Sequence, residues 1–99
     1  MFSRFPVLEP LTVSSEAGTE TGDTKITVTP AKAAGTNIYK YKIADAAIDV
    51  ELDENVQTWT LWDGGADITA DTGSVITIVE ASAEYKAKKA GSATVIAAG

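Results

Sequence analysis

The side chains best equipped for chemistry in this sequence are three aspartates, Asp63, Asp67 and Asp71, around the pair Gly64-Gly65. Clustered carboxylates beside glycines are the raw material of a calcium loop, because a hard cation takes oxygen ligands from a tightly turned backbone. The spacing departs from that loop, which needs acids at its first, third and fifth positions, a glycine at the sixth and a distal glutamate. The same residues fit a simpler role, in which Asp63 closes a turn by bonding its own backbone. A second acidic group comprises Asp45, Asp49, Glu51, Asp53 and Glu54. Two carboxyls held across a cleft with separated pKa values can cleave a glycoside, but a chain of 99 residues leaves little room for such a cleft. Acids in a connecting segment also keep it solvated and blunt an exposed edge.

The chain has no His and no Cys, which removes the usual general base, the commonest metal ligand and every thiolate nucleophile. The expectation is a protein that is not an enzyme and carries no cofactor or metal. Lys86, Lys88 and Lys89, with Lys40 and Lys42, offer either a patch for an acidic partner or a solvated outer face. The aromatics Tyr39, Tyr41, Trp59, Trp62 and Tyr85 raise the possibility of stacking on sugars. Tyr39, Tyr41 and Trp59 fall on the inward phase of their strands and read as core; Trp62 and Tyr85 are the two expected surface contacts.

Alternation rather than helical periodicity organises the elements that position these residues. Short apolar-polar runs separated by turn clusters have the spacing of a sandwich or barrel. Leu11 to Ser15 reads as a strand with Leu11, Val13 and Ser15 on one face; Lys25 to Thr29 turns Ile26 and Val28 inward and ends at Pro30. Tyr39, Tyr41 and Ile43 share a face opposite Lys40 and Lys42. Residues 44–57 read as a long connection with a short edge strand around Ile48 to Leu52. Thr58 to Trp62 is expected to turn Trp59 and Leu61 inward. Ser74 to Ala81 is apolar on both faces, as a covered central strand is, with Ile76 and Ile78 inward. Ser82 to Tyr85 forms a hairpin into a closing strand, Lys86 to Ile96, with a bulge at Gly91.

The formal net charge of −6 and pI near 4.4 argue against nucleic-acid partners, whose phosphates are neutralised by Lys and Arg. Residues 1–10 contain Phe2, Phe5, Val7 and Leu8, interrupted by Arg4, Pro6, Glu9 and Pro10, so they lack the apolar core of a signal peptide. No run approaches the roughly 20 apolar residues of a membrane helix. The reading is a soluble chain with no membrane partner, in which residues 1–10 form an extended N-terminal arm or first edge strand and residues 11–99 form one β-sandwich domain.

From Val13 onward several segments occur in a joint order. They are Ala17-Gly18-Thr19, Gly22-Asp23-Thr24-Lys25-Ile26-Thr27-Val28, Tyr39-Lys40-Tyr41-Lys42, Trp59, Trp62-Asp63-Gly64, Asp67-Ile68-Thr69, Val79-Glu80-Ala81 and Lys88-Lys89-Ala90-Gly91. That order resembles the immunoglobulin-like domains of head-decoration and head-fibre proteins, or of capsid subunits, in tailed phages of Gram-positive bacteria. It departs from the family at Ser82-Ala83-Glu84-Tyr85, where an Asp-Gly-type hairpin is more usual. The resemblance implies an all-β, immunoglobulin-like β-sandwich of about seven strands, and a structural virion protein on the capsid surface, made in the host cytoplasm. It would bind the phage major capsid protein or other virion subunits, with a homo-oligomer possible. Phe2, Phe5, Val7 and Leu8 of the arm, and Lys86, Lys88 and Lys89, are the candidate partner-binding residues. The alternative is a glycan-binding or adhesion module that uses exposed aromatics.

Overall fold

A computed structural model describes residues 8–29 and 35–99. The described residues are all-β, without helix, and form two sheets of five and three strands. In chain order the strands are β1 (Glu9–Pro10), β2 (Thr12–Ala17), β3 (Asp23–Thr29), β4 (Ile38–Ala44), β5 (Thr60–Trp62), β6 (Ile68–Thr69), β7 (Val75–Ala81) and β8 (Ala87–Thr94). The larger sheet runs β1-β8-β7-β4-β5 and the smaller β2-β3-β6. Every pairing between these strands is antiparallel except β1 with β8, which is parallel. This is the order of an immunoglobulin-like sandwich. The expected fold class therefore stands, with two of the eight strands only two residues long.

The alternation places the core as the chain pattern demands. Leu11, Ile26, Tyr39, Trp62, Ile68, Ala70, Ile76, Ile78 and Val95 are buried between the sheets, with Val13, Val28, Tyr41 and Ile43 packed against them. Leu11 is the pivot where the chain leaves the large sheet and enters the small one; its amide donates to the Ala90 carbonyl at 2.8 Å.

β7 is apolar on both faces because both are covered. Its outward residues Val79 and Ala81 join Val56, Trp59 and Ala87 in a second buried cluster, supported by Ile38, Ile48, Val50 and Tyr85. The cover is the long connection between β4 and β5. The Ile48 amide donates to Thr77 Oγ1 at 3.1 Å, Asp53 N–H reaches the Ala87 carbonyl at 2.8 Å, and Val56 N–H reaches the Tyr85 carbonyl at 2.9 Å. No strand forms around Ile48 to Leu52, contrary to expectation. That stretch packs its apolar side chains down onto the sheet instead of pairing along an edge.

Two further expectations are corrected. Trp59 and Leu61 do share a side, but it is the outer one: Trp59 is buried beneath the connection, while Leu61 is 62% exposed. Trp62, expected at the surface, lies in the main core. Gly91 marks no bulge; the register shift lies between Glu80 and Ala81. Gly91 pairs in register with Ile78 because the chain crossing at Leu11 passes directly over it. A Cβ there would stand 2.2 Å from the Leu11 carbonyl oxygen.

Candidate functional site

A five-stranded sheet facing a three-stranded one cannot be covered evenly. At the β1 side, β2 packs over β8 and seals the sandwich. At the opposite side β6 is the last strand of the small sheet, and the place beside it where an immunoglobulin constant-type sheet carries a fourth strand is vacant among the described residues. The result is a groove of about 620 Å³ at the β5–β6 edge, lined by Ile38, Tyr39, Tyr41, Leu61, Trp62, Asp63, Ala66, Asp67 and Ile68.

The loop from Asp63 to Asp67 forms its rim. Asp63 Oδ1 accepts from the amides of Gly65 and Ala66, both at 2.8 Å, which is the turn-closing role read from the sequence. Those amides, Ala66 first, hold the Asp63 carboxyl below the usual carboxylate range. Gly64 takes φ +91°, and a Cβ there would come within 3.1 Å of the Tyr39 ring, so the loop lies flat on that ring. Trp62 Nε1 donates to the Ala66 carbonyl at 2.7 Å, and its ring is tilted against Tyr39 with centroids 5.6 Å apart. Asp67 Oδ2 accepts from the Thr19 amide at 2.7 Å. Among the described residues no three acidic side chains converge in a way that could hold a metal ion.

The aromatics of the groove are therefore wall rather than platform. Trp62 and Tyr39 are buried, with Tyr41 half-exposed behind them. Burial, and secondarily the nearby Glu80 charge, pushes the Tyr39 phenol upward from its usual pKa.

The lysines are dispersed. Lys88 is paired with Asp53, Lys89 lies 3.6 Å from Glu9, and Lys86 is exposed at the bridge to Asn55. Lys40 is not on a solvated face. It is 6% exposed beneath the β4–β5 connection, where Nζ donates to the Trp59 carbonyl at 3.1 Å and the Gln57 carbonyl at 3.4 Å and stands 4.9 Å from the Tyr85 ring centre. Tyr85, also expected to make surface contacts, is half-buried against the second cluster. It holds φ +65° at the hairpin position where glycine is usual. Leu8 packs on that same cluster, whereas Phe2, Phe5 and Val7 lie outside the described residues. Sequence reasoning missed Leu61 and Ala66 as groove residues; the usable signal was the five-residue link from β5 to β6, too short to hold another strand.

No protein-family model matches this chain, and no curated protein matches it. Among solved structures the fold is similar to the crystal structure of domains 7, 8 and 9 of the S-layer protein SbsC, with a TM-score of 0.66 and 22% identity over 91% of this chain. The chain spans 28% of the length of that structure. At such identity the likeness is one of fold: an all-β sandwich domain of a kind also found in a surface-layer protein.

Proposed function

We propose that this chain is a non-enzymatic structural module that decorates or stabilises a phage capsid by binding coat subunits. The observation that carries the reading is the unsealed β5–β6 edge, where an exposed Leu61 and a groove of about 620 Å³ offer apolar surface to another protein rather than a preorganised site for a reaction. The fold's occurrence in an S-layer protein and the ordered segments that resemble phage head proteins support a place on a repeated protein surface. Co-sedimentation tests it. Purified protein is added to tailed-phage heads of Gram-positive hosts stripped of their decoration proteins. Saturable binding at a fixed ratio per capsomer is expected, and failure to bind any such head refutes it.

A glycan-binding reading rests on Tyr39, Tyr41 and Trp62 lying with two carboxylates in one groove. The buried faces of Tyr39 and Trp62 weigh against it, because a sugar needs an open ring face to stack upon. Binding on a glycan array that Tyr41→Ala abolishes would reverse this preference.

A further inference from the structure

The first and last stretches of the described chain lie side by side and run the same way. β1 pairs with β8 in parallel, Glu9 beside Lys89 and Pro10 beside Ala90, and β2 then packs over β8. We propose that this arrangement is a tension clamp, so that the module resists force applied between its two ends and serves as a mechanical link. The inference is independent of the capsid reading: a chain that binds no phage head can still hold under load, and one that binds heads can fail to.

The two ends stand at opposite poles of the sandwich. Leu8 enters at the pole where Ala81 pairs with Ala87, beside the Glu9–Lys89 pairing, and packs there on the second buried cluster. The other pole holds the Val75–Thr94 pair. Beyond it the Val95 amide donates to the Ser74 carbonyl at 2.7 Å, and Ala98 both donates to the Asp23 carbonyl at 2.9 Å and accepts from the Gly22 amide at 2.8 Å. From the level of Lys89 to that of Ala98 an extended chain covers about 30 Å at roughly 3.3 Å per residue.

A load between these poles draws residues 9–17 toward one and residues 87–98 toward the other. Because the two stretches are parallel neighbours, the bonds between them lie across the line of pull and share the load instead of parting in turn. They comprise the β1–β8 ladder, the Leu11 amide donating to the Ala90 carbonyl at 2.8 Å, and the Ile96 amide donating to Ser15 Oγ at 2.8 Å. The Lys89 ammonium, 3.6 Å from the Glu9 carboxylate, adds to them. Sliding would also pull Leu11 out of the main core, at the crossing where its backbone lies directly on Gly91. Pulled from one pole only, the same strands behave otherwise. Glu84 lies exposed in the connection between β7 and β8, at the pole where Leu8 enters. Force between residue 84 and the N-terminal side opens β1 from β8 at one end, and the bonds break in succession.

Single-molecule force spectroscopy of the full chain compares the two directions. The chain has no cysteine, so Glu84→Cys supplies a unique point of attachment. Forced unfolding reads the unfolding barrier, and at equal loading rate the force between the two chain ends should exceed that between residue 84 and the N-terminus about twofold or more. Ser15→Ala removes the acceptor of the Ile96 amide. It should lower the end-to-end force and leave the force from residue 84 unchanged, since Ser15 lies beyond the strand that opens first. Asn55→Ala removes the acceptor of the Gln57 amide, in the connection outside the clamp, and should leave the end-to-end force as it was. Equal forces in the two directions, an end-to-end force indifferent to Ser15→Ala, or one that Asn55→Ala lowers as much as Ser15→Ala overturns the proposal.

Discussion

Replacing Gly91 by alanine adds one methyl group to the middle of β8, a change that would ordinarily be neutral or helpful in a strand. Here the new Cβ would sit 2.2 Å from the Leu11 carbonyl oxygen, 2.9 Å from its carbonyl carbon and 3.0 Å from Val13 Cγ2. An ordinary carbon-oxygen contact is about 3.3–3.6 Å, so the Leu11 backbone must retreat by roughly 1 Å. Retreat stretches the 2.8 Å bond from the Leu11 amide to the Ala90 carbonyl, worth about 0.5–1.5 kcal/mol. It also draws the buried Leu11 side chain partly out of a core where full burial contributes about 1.5–3 kcal/mol. The direct cost of overpacking is about 1–3 kcal/mol, and the reduced freedom of the unfolded chain returns about 0.4–1 kcal/mol. The net loss is about 2–4 kcal/mol, a large part of the roughly 5–15 kcal/mol available to a domain. In a thermal melt it corresponds to roughly 10–30 °C. Gly35→Ala is the control, because a Cβ at Gly35 meets nothing within 4 Å and its backbone is not left-handed; it should change stability by less than about 1 kcal/mol. If Gly91→Ala melts with Gly35→Ala and the unaltered chain, the crossing does not pass over Gly91 and the explanation of that glycine is wrong.

Trp59→Ala and Trp62→Ala should each cost about 3–5 kcal/mol in denaturant melts, since both are buried; only the Trp59 variant should become quickly cleaved by protease within residues 45–58, because Trp59 lies under that segment and Trp62 does not. Lys40→Met should lose about 1–3 kcal/mol by leaving the Trp59 and Gln57 carbonyls without their donor, with faster amide exchange across the same segment; a melt equal to the unaltered chain would mean that water serves those carbonyls as well. Tyr39 has a folded-state pKa above the ordinary tyrosine value of 10.0, so the folded protein holds a proton that the unfolded chain releases. Its contribution is complete below about pH 10 and is lost as pH rises through the folded value. Tyr39→Phe should flatten the alkaline limb of the stability curve, and an unchanged limb would place the cause elsewhere.

Alternation made most of the sandwich legible, because in a strand it states which residues share a face. Leu11 with Val13, Ile26 with Val28, Tyr39 with Tyr41, and Ile76 with Ile78 all fall where that rule puts them. It is silent on which face will be covered, and by what. Trp59 and Leu61 share a face, yet one is buried and the other bare, since the connection ends its passage over the sheet at Trp59. Lys40 reads as a solvent residue between two tyrosines for the same reason. It is covered at Gln57, Trp59 and Tyr85, by the end of a connection whose Ile48, Val50 and Val56 pack on the same outer face and whose mixed spacing within an acidic stretch hid a lid that has no regular structure. Gly91 was ambiguous in kind: a glycine inside a strand signals either a bulge or a close approach of backbone, and only the position of the Leu11 crossing selects the second.

The groove follows from a count rather than from any motif. The chain spends residues 45–59 covering the outer face of the large sheet and leaves five residues, 63 to 67, to travel from β5 to β6. Five residues suffice to turn the corner and cap it with Asp63, but not to supply another strand for the small sheet. Covering one face of β4 and β7 with the long connection and opening the other at the β5–β6 edge are thus two consequences of the same allocation of chain. A variant that lengthens the 63–67 loop by a strand and its turn should fill the groove from within. On the reasoning above it would remain folded, gain stability as the half-exposed Tyr41 is sealed, and lose the open apolar edge proposed to bind coat subunits.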